Sequence, residues 1–158
     1  MTAETGFQKP EGRVVGRGSY TILEKTVETG TSCYPGAAVK YGSTQAEIVV
    51  NDTSSNEIIG FLSWEHANPT DRPSTIDTAY ATGARAPVVL IGSGVPIRAI
   101  LGKNMTITAG EALTCGSTAV DGAGSLKEAT IGTDNVVAYA LEDVTTTTAV
   151  ATIWVNLV

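Results

Sequence analysis

The chain has 158 residues, with 10 basic and 16 acidic side chains and a net charge of −6, so it carries no positive surplus to lay against phosphates. That excludes nucleic-acid binding of the ordinary electrostatic kind. Charged residues make up only 16% and hydrophobic ones 42%, which leaves Thr, Ser, Asn and Gly to build the exterior of one domain, or of two fused halves, large enough to bury a core without staples.

In chain order, residues 1–18 come first. Gly6, Pro10, Gly12, Gly16 and Gly18 punctuate them, apolar periodicity is absent, and an extended arm is expected. This arm holds Lys9, Arg13 and Arg17, three of the ten basic residues. It has no basic head followed by an apolar stretch, and no run long enough to span a membrane exists, so synthesis in a cytoplasm without signal-peptide export is expected. From Tyr20 onward the apolar runs are short, rich in Val, Ile, Thr and Tyr, and broken by Gly, Asn-Asp, Ser-Ser or Asp-Gly. They predict strands near 20–28, 37–41, 46–50 and 57–62. A long loop over 63–85 follows, containing Trp64, His66 and Tyr80. Strands near 86–91 and 95–101 flank "GSGVP" (92–96), read as a hairpin turn because neither a P-loop Lys-Ser/Thr nor a helix follows it. Four more strands fall near 111–115, 125–130, 136–142 and 149–157. No window shows a helical apolar face, and the whole reads as all-β, a compact barrel or sandwich over 19–158.

One stretch is written twice. "GAAVKYGST" (36–44) returns as "GEALTCGST" (110–118), identical at five of nine positions, and the runs around each copy follow in the same order. Two degenerate units, 19–92 and 93–158, each of roughly 70 residues, are the reading this supports. The first Gly of the motif is expected to turn the chain into a short strand, and the second to reverse it with positive φ. The long loop 63–85 has only "EDVTTTTA" as its counterpart, which marks it as the place where the units differ most.

Chemistry-bearing residues are sparse. His66 is the only histidine, so any His-dependent catalysis or metal site would need it, and it reads as an ordinary loop residue. Cys33 and Cys115 form neither a CxxC pair nor a zinc spacing; two buried reduced thiols are preferred, a single disulfide being the alternative. Asn51-Asp-Thr53 and Asn104-Met-Thr106 match the glycosylation acceptor pattern but read as accidents of a Thr-rich composition. Glu142 and Asp143 are neighbours at a strand end, pointing to opposite faces, and cannot share a proton. No enzyme, no metal and no cofactor is expected.

Three segments, "NMTITAGEALTCGST", "GSLKEATIGTDNVVAYALEDV" and the closing "VATIWVNLV", resemble the small capsid decoration, or cement, proteins of tailed viruses that infect bacteria and archaea. "IDTAYATGARAPVVL" is similar to a further stretch of that family, with Ala138 standing where the family often has Gly and Arg85 where it is often acidic. The resemblance covers residues 30–158. It implies a β-barrel or tulip-like body, usually a homotrimer, bound to the major capsid protein on the outer surface of the virion, with no nucleic-acid or membrane partner. An arm suits that role, and Phe7, Lys9, Arg13 and Arg17 are the candidate capsid contacts. The alternative is a surface adhesion or carbohydrate-binding β-module, with Trp64 and Tyr80 as a stacking platform.

Overall fold

The computed structural model describes residues 22–52, 57–64, 70, 72–117 and 120–158. The expected arm, with Phe7, Lys9, Arg13 and Arg17, lies outside the described residues, as does His66. Among the described residues there are twelve strands and no helix. They are β1 (Ile22–Val27), β2 (Ala38–Tyr41), β3 (Glu47–Val50), β4 (Ile58–Leu62), β5 (Arg85–Leu90), β6 (Pro96–Leu101), β7 (Thr106–Ile107), β8 (Ala112–Cys115), β9 (Leu126–Glu128), β10 (Ala138–Ala140), β11 (Val144–Thr145) and β12 (Ala151–Leu157). The ten expected strands all form, and β7 and β11 are additional.

The all-β body closes into two barrels. Strands β1-β3-β2-β4-β5 form the first and β10-β12-β6-β9-β8 the second, while β7 and β11 pair as a separate small sheet. Alternation explains the outer strands: on β12, Ile153, Val155 and Leu157 are fully buried while Thr152, Trp154 and Asn156 face outward. On β4 and β5 the alternation disappears because both faces are covered. Leu62 and Val88 join the core of the first barrel, whereas Phe61 and Val89 join a larger cluster made mostly of second-barrel residues. "GSGVP" accordingly does not close a hairpin. β5 and β6 belong to different barrels, and the positive φ of Gly92 and Gly94 turns the chain from one into the other.

The barrels are equivalent strand for strand. β1, β2, β3, β4 and β5 match β6, β8, β9, β10 and β12, and even the one parallel pair recurs, β1 with β3 and β6 with β9. Register agrees as well. Val27 pairs Ile48 as Leu101 pairs Leu126; Val39 faces Gly60 as Leu113 faces Ala138; Leu62 faces Val88 as Ala140 faces Val155. Outside the strands, the amide of Gly36 donates to Leu62 O at 2.8 Å as that of Gly110 does to Ala140 O, also at 2.8 Å.

That equivalence explains the repeated stretch. Gly36 and Gly110 both have positive φ, 85° and 93°, turning the chain into β2 and β8. The second glycines do something other than expected. Neither Gly42 nor Gly116 has positive φ; each is small because a carboxylate lies against it. A Cβ on Gly42 would meet Glu28 Oε2, and one on Gly116 would fall 2.7 Å from Asp121 Cβ. These carboxylates accept from the next amide, Ser43 N at 2.9 Å and Ser117 N at 2.8 Å.

Main-chain bonds lock the barrels together. The amide of Ile100 donates to Gly36 O at 3.0 Å, that of Ala38 to Gly124 O at 2.8 Å, and that of Gly124 to Asn51 O at 3.0 Å. The turn Gly36–Ala38 is thereby wedged beside the opening of β6 and β9, which pair only at Leu101 and Leu126. At Gly124, with φ 66°, a Cβ would approach Ala37 Cβ and Val50 Cγ2 to 2.7 Å, so only glycine permits this approach.

Candidate functional site

Several of the described carboxylates are structural clamps. Glu28 is held below the usual carboxylate range by the Ser43 hydroxyl and then by the Ser43 amide, against a small opposing effect of burial. Asp52 is likewise lowered, first by its hydrogen bond from Lys40, whose ammonium lies 2.6 Å away. Glu142 and Asp143, neighbours at a strand end, serve two separate places: Glu142 Oε1 accepts from the Trp154 amide at 2.9 Å and Asp143 Oδ1 from that of Ala109 at 2.7 Å. Among the described residues no group of three potential metal ligands converges.

Both cysteines are buried free thiols, each in a different part of the fold. Burial raises the Cys33 thiol, with a smaller opposing bond to Thr31, and pushes Cys115 up to about 12. A thiol held protonated and out of solvent is a packing residue, not a nucleophile. Asn51 is fully buried in the inter-barrel contact, which removes it as a glycan acceptor.

The aromatic loop does not form the stacking platform expected of a carbohydrate-binding module. Tyr80 is only 2% exposed and donates its hydroxyl to Ser63 O at 2.6 Å. Trp64 donates Nε1 to Pro73 O at 2.9 Å, and the Arg72 guanidinium sits over its ring, 4.7 Å from the centroid. Both side chains stitch the loop to itself and to β4.

Among the described residues two apolar surfaces stand open. The first is a groove of about 550 Å³ where the barrels meet, lined by Tyr34, Pro35, Ile76, Ile100 and Val150, with Asp77 and Lys103 as its charged members. The second is the outward face of β10 and β12, where Tyr139 is 41% and Leu141 49% exposed, beside a shallow hollow shaped by Pro96, Leu141, Glu142 and Trp154. Sequence reasoning missed the groove; the alternation over 136–157 reads as strand patterning first and as a binding face only second. These are binding surfaces in character: apolar, with aromatics and few charges.

No family model matches the chain, and no curated protein matches it. Among solved structures the chain is similar to the crystal structure of the head fiber gp8.5 N base in bacteriophage phi29, with 15% identity, a TM-score of 0.50, and coverage of 89% of this chain and 95% of that one. At that identity the likeness is one of fold, and it spans both barrels.

Proposed function

We propose that this protein is a non-catalytic structural component of a phage virion, a decoration or cement protein that binds the outside of the assembled major capsid protein shell as a homotrimer and stabilises it. The observation that carries the reading is the fold shared, over nearly the whole of both chains, with part of a bacteriophage head fibre. A second support is independent of it: the three segments that resemble decoration proteins together supply β8, β9, β10 and β12 of the second barrel, along with β7 of the small sheet. The exterior suits such a role, being poor in charge and carrying open apolar surface.

The mechanism is mass action. A protein that binds only the assembled shell stabilises it by RT ln(1 + [L]/Kd), about 2.7 kcal/mol per site when the free protein stands at 100 times its Kd. Three linked copies add avidity, because each later contact is made at high effective concentration. Phe7, Lys9, Arg13 and Arg17 are the proposed shell contacts, the basic side chains complementing acidic capsid groups.

Co-sedimentation with purified capsids across a salt series tests this. Wild-type protein should saturate the shells. Deletion of residues 1–18 should lower occupancy and flatten its salt dependence, and charge reversal at Lys9, Arg13 and Arg17 should lower it further still. Failure of the wild type to bind capsids would refute the reading. Equal occupancy for all three proteins would reject the arm contacts and direct the search to the two apolar surfaces.

A further inference from the structure

The equivalence of the two barrels makes a comparison possible within one chain. In the first barrel, the outward face of β2, β4 and β5 presents Ala38, Phe61 and Val89, exposed by 0%, 0% and 1%, because the second barrel covers it. The pairing registers place Ala112, Tyr139 and Asn156 at the same positions of the second barrel. Just beyond the strands, Leu141 corresponds to Ser63: the amide of Ser63 donates to Pro87 O and that of Leu141 to Trp154 O, both at 2.9 Å. The last matched position pairs Ile91 with Val158, whose amides donate to Ile59 O and Val137 O. Ile91 packs against the shared core, while Val158 is 44% exposed.

The same face is therefore sealed on one barrel and open on the other. What seals it is a barrel of this same fold, and a second copy of the chain supplies such a barrel. We infer that the β8-β10-β12 face of the second barrel, centred on Tyr139 and Leu141, is an interface with a second copy of this protein. Its composition fits. An aromatic and a leucine lie at the centre, Asn156 is the polar member of the row, and Glu142, the carboxylate that lines the adjoining hollow, already accepts a backbone amide. A molecule of net charge −6 repels its own copies, and a face with so few charges is where that repulsion is weakest. Continuing the barrel-to-barrel relation from one chain to the next gives a head-to-tail contact, which closes into a ring when the rotation permits. This inference does not rest on capsid attachment, and its test contains no capsid.

Light scattering on a sizing column, over a wide range of protein concentration, should show the wild type assembling. Tyr139→Arg combined with Leu141→Glu should weaken assembly by about tenfold or more, the loss typical of central interface anchors, with the sheet spectrum in circular dichroism unchanged. Asn156→Lys, on the neighbouring strand, should weaken it in the same direction. Ile131→Asp is the control: Ile131 is 74% exposed in the turn after β9 and belongs to none of the strands of this face, and its replacement should leave assembly intact. A wild type that stays monomeric at every concentration would overturn the inference. So would variants at Tyr139, Leu141 and Asn156 that assemble like the wild type, or an Ile131→Asp variant that loses assembly equally.

Discussion

Single residues in this fold divide into those that shape the backbone and those that must stay out of its way. Gly110 has open space around its missing Cβ and a φ of 93°, so Gly110→Ala meets only backbone strain and should cost about 1–2 kcal/mol. Gly60 is the opposite case. Its Cβ would collide with Val89 O on the paired strand, and Gly60→Ala should cost at least about 3 kcal/mol, the upper end of overpacking. Urea midpoints at constant slope measure both. The first glycine of the repeated stretch could be read from sequence because a turn is local. The role of the second could not, because Glu28 precedes its glycine by many residues and Asp121 follows its own. Burial of the thiols gives a pH prediction at the same scale. Below the ordinary thiol value of 9.0 both folded and unfolded chains keep the Cys115 proton; above it the unfolded chain releases it while the folded chain holds on up to about 12. The folded pKa is raised, so stability is complete below 9.0 and falls as pH climbs from there toward 12. Thermal melts across that window should show the fall, and Cys115→Ala should make it shallower.

At the level of elements, ten strands were legible because Val, Ile, Thr and Tyr alternate against Gly and Asn-Asp breaks, a signal each strand carries alone. β7 and β11 were not, since two residues cannot express a period. Their pairing depends on partners brought together by the barrel: the amide of Asn104 bonds Thr147 O at 2.7 Å, and Thr146 Oγ1 bonds Gly102 O at 2.6 Å. Their counterpart in the first half is the lone bridge between Cys33 and Tyr80. The long loop before Tyr80 stands out in the sequence by its length, but the aromatics Trp64 and Tyr80 bond within it and to the residue that follows β4. Tyr80→Phe would leave Ser63 O without the hydroxyl donor in a buried setting, at a cost of about 1–2 kcal/mol. Calorimetry should register that cost as a lower melting temperature while the sheet spectrum stays the same. A hydroxyl that served only solvent would give no shift.

For the whole molecule, the decisive feature is that the larger core cluster ignores the division into barrels. Ala38, Ile58, Phe61 and Val89 from the first barrel are buried together with Ile97, Leu113 and Val155 from the second. The sequence pointed to an all-β barrel or sandwich, with two degenerate units as a reading of its repeated stretch. It could not announce this sharing, because Phe61 and Leu62 are both apolar and only the docked partner decides that one faces each way. The shared core predicts cooperativity between the barrels. If each were an independent unit, a core truncation in the first would lower only its own melting transition and leave the second untouched. Phe61→Ala removes a fully buried ring at the boundary and should cost about 3–5 kcal/mol. Because the wedge at Gly36–Ala38 and the bonds to Gly124 tie the backbones across the same boundary, that loss should be felt by both barrels at once. Differential scanning calorimetry should show one transition for wild type and variant alike, with the calorimetric and van't Hoff enthalpies equal. Two resolved transitions, with only one displaced by the substitution, would show the barrels to be separate folding units, and the covered face of the first barrel would then be a docking surface and not a core.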